Sequence, residues 1–281
     1  MIKEKYQHLC EDAKDNKEAI ERLYDVMKVL RAECPWDREQ THESLRPGML
    51  EEAYETVDAI NNNDMANLRE ELGDVMLQVV FHSILGEENG TFDLKDVINE
   101  ECEKMIRRHP HVFLQEKANN HIKSIDKVLE KWENIKVQER GEECATSRLE
   151  KVPKALPALT RAFKVQKKAA DVGFDWDDVS GAFDKVKEET VELVDNFESD
   201  PSNKHALEEE LGDLLFSVVN VSRFLGIDPE ASLNYTISKF IRRFAYVEKS
   251  ALACGRNLEE MTLAEMDELW DEAKKLERSM L

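Results

Sequence analysis

Hydrophobic residues of the second half fall at Leu211, Leu214, Leu215, Val218 and Val219, the three-and-four spacing that keeps one helix face apolar, and the run stops near Gly226. The first half carries the same run at Leu72, Val75, Met76, Val79 and Val80, ending near Gly86. Ahead of each lies another stripe: Leu50, Ala53, Tyr54 and Val57 in one half, Val186, Thr190, Leu193 and Val194 in the other. These periods predict about four amphipathic helices per half, joined by short loops, with each stripe facing the interior of a helical bundle. Glycine and proline are scarce, at 10 and 7 in 281 residues, whereas Glu, Lys, Leu and Ala abound, which favours an all-α fold and argues against sheets. Gly73 and Gly212 nevertheless fall inside helices, where glycine costs about 1 kcal/mol against alanine. Close approach of a neighbouring helix or a ligand is the expectation at both.

The two halves match in order. "EELGD" is read at Glu70 to Asp74 and again at Glu209 to Asp213; "PWD" (Pro35 to Asp37) parallels "DWD" (Asp175 to Asp177), and "LEEAYETVDAI" from Leu50 parallels "KEETVELVDNF" from Lys187. "EKMIRR" (Glu103 to Arg108) parallels "SKFIRR" (Ser238 to Arg243), and Trp132 with Lys136 parallels Trp270 with Lys274. A repeat of this length indicates a duplicated domain. Gly, Ser, Thr and two prolines interrupt the helical pattern between Gly141 and Pro157, so the expected division is a domain at 1–140, a linker at 141–157 and a second domain at 158–281.

Composition narrows the partners. With 41% apolar residues the chain can bury a substantial core. The formal charge of -21 repels polyanions, so neither a nucleic acid nor an anionic membrane surface is expected as a partner unless cations intervene. No stretch approaches the length that spans a bilayer, and Met1 to Cys10 carries Lys and Glu where a secretory signal has an apolar run. Five widely spaced cysteines (Cys10, Cys34, Cys102, Cys144, Cys254) without a CxxC pair read as reduced thiols, and the expected location is cytoplasmic. His42, His82, His109 and His111 lack zinc-site spacing, so surface or capping roles are expected of them.

The candidate chemistry lies in the acids. Glu188, Glu189 and Glu192 share one side of the helix that follows Lys185, and Glu210 and Asp213 are three apart on the next, so adjacent antiparallel helices could bring two sets of carboxylates to one point. Like charges at this spacing repel, which calls for a positive group between them. A hard divalent cation with oxygen ligands answers that need; Mg²⁺ is the first choice, because it keeps waters for a phosphate-bearing substrate, and Mn²⁺ could substitute. The competing account is a solvated acidic face, against which stands the recurrence of the acids in both halves. Neither GxxxxGK[ST] nor GxGxxG occurs, so phosphates would have to be held through metal rather than a glycine-rich loop.

The repeated "EExxE" (Glu51 to Glu55; Glu188 to Glu192) followed by "ExxD" (Glu71 to Asp74; Glu210 to Asp213) resembles the MazG family of all-α nucleoside triphosphate pyrophosphohydrolases, over nearly the whole chain and in the tandem two-domain form. The resemblance implies Mg²⁺-dependent hydrolysis of a nucleoside triphosphate to a monophosphate and pyrophosphate, and homodimerisation through the helical domains. It makes Glu189, Glu192, Glu210 and Asp213 the metal ligands of the second domain, with Glu52, Glu55, Glu71 and Asp74 at the matching positions of the first. It also makes Lys239, Arg243, Trp270 and Lys274 nucleotide contacts. Water would attack the α-phosphate, Glu188 would accept its proton, and Lys185, Lys187, Lys239 and Arg243 would stabilise charge moving onto the β- and γ-phosphates. For Lys185 and Lys187 the alternative is exposed i, i+4 pairing, and for Trp270 and Trp132 a place in the core.

The halves differ where substrate should lie. Aligning the Glu pairs sets Gly48 and Leu50 opposite Lys185 and Lys187, and the first half has its own segment "REQTHESL" (Arg38 to Leu45), so the second domain is expected to be the main catalyst. The expected task is broad house-cleaning of nucleotide pools. A narrower dUTP or phosphoribosyl-ATP pyrophosphohydrolase and a non-catalytic acidic helical scaffold are the alternatives.

Overall fold

The computed structural model describes residues 3–113, Ile135 and 144–279, and among these every regular element is helical. Trp132 and Lys136 lie outside the described residues. Two compact units divide the chain, Met1–Glu139 and Arg140–Leu281.

In the first unit, α1 (Asn16–Glu33) packs on the short α2 (Pro35–Glu39) and on α4 (Met65–Glu88). Helix α3 (His42–Asn61) runs along α4, and α4 also meets α5 (Leu94–Arg108), which is followed by a single turn, α6 (Pro110–Phe113). Local chemistry sets the starts. The Asp15 side chain accepts from the Glu18 amide, Thr41 from Ser44, Asp64 from Ala66 and Asn67, and Asp93 from Asp96, each satisfying amides that a first turn leaves free. The core joins Met27, Leu45, Val80, Phe81, Ile84 and Leu85. Arg31 locks the chain leaving α1: its guanidinium donates to the carbonyls of Asp37, Arg38 and Gln40 and to the Glu88 carboxylate.

In the second unit, the short α7 (Ala145–Glu150) lies on α8 (Ala158–Ala170), which packs against both α10 (Lys204–Leu225) and α11 (Pro229–Ala253). Helix α9 (Val179–Ser199) runs along α10, and α12 (Leu263–Ser279) along α11. Gly226 ends α10 in the left-handed conformation at φ 67°, which glycine adopts without a Cβ clash. Within 141–157 the chain is itself partly folded, since α7 packs on α8 and Val152 is buried.

Two packing expectations are corrected. The stripes of the paired helices do not all face inward: Leu50, Tyr54, Val57, Leu72 and Met76 in the first unit, and Val194, Leu211, Leu215 and Val218 in the second, are about half exposed, while Val80 and Val219 are buried. Each helix pair offers only one contact face to its partner, so a stripe wider than that face is left open. Nor, among the described residues, does anything crowd Gly73 or Gly212, because a Cβ built at either meets no atom within 4 Å.

The buried α1–α4 contact makes Ile84→Ala and Phe81→Ala costly, by about 2–5 and 3–5 kcal/mol respectively. Denaturant unfolding followed by circular dichroism measures both.

Candidate functional site

Helices α9 and α10 bring together the acids that the sequence placed on them. Oxygens of Glu188, Glu189 and Glu192 lie within 4.8 Å of one another, and so do oxygens of Glu189, Glu210 and Asp213. Glu189 belongs to both groups and is 3% exposed, so it is the carboxylate at the seam between the helices. On α9 Glu188 stands directly before it and Glu192 three residues after, and Glu210 and Asp213 reach it from facing turns of α10. The acidic side of α9 therefore faces α10.

Charge in the cluster is only partly offset. The Lys185 ammonium sits 2.5 Å from Glu189 and 2.9 Å from Glu188, and these two bonds raise its pKa above the ordinary lysine value. Asn196, one turn after Glu192, donates to Glu210 at 3.0 Å. Burial, then the charges of Glu189 and Glu210, push the Glu192 carboxyl above its usual pKa. Lys187 points elsewhere: it pairs with Asp184 at 2.8 Å, and its side chain is 75% exposed.

The first unit repeats the arrangement with three acids in reach of one another, Glu52, Glu55 and Glu71, within 4.8 Å. Asp74 stands close enough for its charge to act on two of them. Burial and then Asp74 raise Glu52; burial and then Glu55 raise Glu71. The lysine of the second unit has no counterpart here, where the matching residue is Gly48. At Gly48, opposite Lys185, a Cβ would stand 2.8 Å from the Gln78 amide nitrogen, so Gln78 fills the space that the lysine uses in the second unit. The position matching Gln78 is Ser217, a small side chain.

Lys239, Arg243, Trp270 and Lys274 form a separate group on α11 and α12. Arg243 binds Glu277 through two nitrogens at 2.7 and 2.8 Å, with its guanidinium 5.7 Å from the Trp270 ring. Phe240 covers another side of that indole at a centroid distance of 5.0 Å. Lys274 pairs with Asp271 at 2.6 Å, and Lys239 lies over Tyr235 at 5.5 Å. Among the described residues, no hydrogen bond or ion pair joins this group to the acids of α9 and α10.

The donor sets are all carboxylate oxygen, gathered at the spacing a hard divalent cation bridges, with several members held above their usual pKa by burial and then by mutual repulsion. Known proteins share the framework. The family described as "MazG nucleotide pyrophosphohydrolase domain" matches residues 40–113 and again 180–247, spanning both acidic helix pairs. The chain belongs to the MazG family. It is similar to "Nucleoside triphosphate pyrophosphohydrolase/pyrophosphatase MazG" of Thermotoga maritima, 44% identical over 91% of this chain and 95% of that protein. It is also similar to "Nucleoside triphosphate pyrophosphohydrolase" of Escherichia coli, 42% identical over 92% of this chain and 98% of that one. A third relative, "Uncharacterized protein YabN" of Bacillus subtilis, is 49% identical over 87% of this chain and 49% of its own length. The tandem all-α architecture expected from the repeat is thus that of the MazG family.

Sequence reading passed over Asn196, although its place four residues after Glu192 was a signal, and Gln78, whose signal was the glycine opposite it at position 48. It also gave the histidines no partners, yet His42 and His82 stack with ring centroids 5.0 Å apart and bond through Nδ1 atoms at 2.7 Å.

A carboxyl whose folded pKa is raised holds its proton better in the folded state. Its favourable contribution is full below the unfolded value of 4.5 and is lost as pH rises through the folded pKa. The metal-free Glu71→Gln variant should therefore melt higher than wild type at pH 7, with the gap closing towards pH 4. Its gain in melting temperature on adding Mg²⁺ should be smaller. Scanning calorimetry across that range checks both outcomes.

Proposed function

We propose that the protein hydrolyses nucleoside triphosphates to nucleoside monophosphate and pyrophosphate, with Mg²⁺ held by Glu189, Glu192, Glu210 and Asp213. The observation that carries this reading is the pair of carboxylate groups sharing Glu189 in a chain of the MazG family, whose relatives bear pyrophosphohydrolase names. Bound there, the ion supplies the positive charge that lets a triphosphate approach a protein of charge -21, together with Lewis acidity at the phosphorus. Mn²⁺, with the same preference for oxygen, is the expected substitute.

The side chains divide the remaining work. Glu189, buried and shared by both groups, fixes the position of the site, while Asn196 orients Glu210. Glu188, largely exposed at the rim, accepts the proton of the water that attacks the α-phosphate. Lys185 lies beside it and balances charge growing on the phosphates. Lys187, paired with Asp184 at the surface, is in this reading an outer contact.

Lys239, Arg243, Trp270 and Lys274 complete the nucleotide site from a second copy of the chain. The half-exposed apolar residues of the acidic helix pairs support a homodimer, since a second copy would take them out of water. The second unit, with its main body at 158–281, is the principal catalyst because it has Lys185 where the first has Gly48. House-cleaning of nucleotide pools in the cytoplasm suits the reading; all five cysteines are free thiols.

Incubation with ATP and with non-standard triphosphates, with and without Mg²⁺, tests the chemistry. Monophosphate and pyrophosphate are expected only with metal, and diphosphate plus phosphate would overturn the reading. Asp213→Asn should lower kcat by at least about a hundredfold, since even partners one shell further from a metal account for 10–100-fold. Asp74→Asn should leave most turnover intact. Sedimentation velocity should give a dimer mass.

A further inference from the structure

Trp270 and Glu277 stand two helical turns apart on α12, so they share the face that meets α11. Both take hold of one residue of that neighbour. The Arg243 guanidinium lies 5.7 Å from the Trp270 ring, and Glu277 accepts from its Nε at 2.8 Å and from its Nη2 at 2.7 Å. The Arg243 side chain is only 19% exposed, so the two helices fix it along most of its length.

These bonds lie on one edge of the guanidinium. A single carboxylate oxygen, Oε2, takes both of them, whereas a closed fork would give each nitrogen an oxygen of its own. The other oxygen, Oε1, lies towards Arg242 at 3.8 Å. A guanidinium carries five N–H groups in one plane, and Glu277 uses those of the Nε edge. Among the described residues no acceptor meets Nη1. The Nη1–Nη2 end is therefore open, and its two parallel N–H groups match two oxygens of a phosphate.

Joining the two helices does not account for this layout, because an ion pair between partly exposed side chains adds little to stability and a closed fork would join them better. Preorganisation does account for it. A free arginine samples many rotamers and loses that freedom when it grips a phosphate, which weakens the grip. An arginine already held by Glu277 and backed by an indole has given up the freedom before the ligand arrives.

We infer that Glu277 is a positioning residue of the second unit: it holds Arg243 by the Nε edge so that the opposite end of the guanidinium receives two oxygens of the triphosphate chain. This role rests on the function proposed above and deepens it by naming what aims one of its phosphate contacts. The base of the nucleotide takes no part in it, so any ligand with the same phosphate chain should depend on Glu277 to the same degree.

In the full-length protein with Mg²⁺, Glu277→Ala should raise KM for ATP and Ki for inorganic triphosphate together, by roughly three- to tenfold, with kcat little changed. Glu277→Gln, whose amide oxygen can still accept both bonds, should recover most of that loss. In an Arg243→Ala background, Glu277→Ala should add nothing. A lower melting temperature with KM and Ki unmoved would make the pair structural and overturn the role. So would a fall in KM, which would make Glu277 a competitor for the arginine, or an equal rise in the Arg243→Ala background. If the wild type hydrolyses no triphosphate, calorimetric binding of inorganic triphosphate reads the same cycle. An affinity that depends on Glu277 only while Arg243 is present would then keep the positioning and remove the proposed reaction.

Discussion

Glu189 lies almost fully buried at the seam of two helices, with other carboxylates converging on it from both. An ionised carboxyl is tolerated in such a place only when cations or hydrogen bonds replace the water it has lost. Lys185 supplies one cation, and Asn196 supplies a hydrogen bond to the adjoining Glu210. Burial, and after it the remaining repulsion, raises the pKa of Glu192 and, in the other unit, of Glu52 and Glu71. A helix pair that concentrates like charge on its contact face is weaker than it need be for folding alone, and a divalent cation relieves that weakness.

The two units meet this demand differently. In the second, a lysine stands on α9 opposite a small serine on α10; in the first, a glycine stands opposite a glutamine, and the glutamine takes the room. The Gln78 amide, the end of a flexible side chain, lies 2.8 Å from where a Cβ at position 48 would stand. The exchange leaves the first unit without the lysine that stands beside the carboxylates of the second. A second exchange runs the other way: in the register that aligns the two "EELGD" segments, the apolar Met27, Phe81 and Ile84 of the first unit give way to Gln166, Asn220 and Arg223. Duplication has thus left one copy with the tighter core and the other with the richer set of polar groups.

The stripes left open on the helix pairs belong to the same economy of faces. A helix whose buried side is occupied by acids must place its apolar residues elsewhere, and where no further neighbour covers them among the described residues they are half exposed.

Periodicity and composition alone determined that the chain is helical, that it is doubled, and which carboxylates face a common point, because a 3.6-residue repeat fixes relative position along a helix wherever the helix is placed. The "EExxE" and "ExxD" spacings carried the acids, and the IRR and Trp-x-x-x-Lys spacings carried the second group of candidates. Which side of each helix is covered was decided only by tertiary packing: a periodic stripe marks an apolar face without saying what meets it, so Leu72 and Val80, both in one run, ended exposed and buried. The approach of Gln78 to position 48 and the hold of Glu277 on Arg243 likewise arise from side chains distant in sequence, which meet only once the helices are side by side.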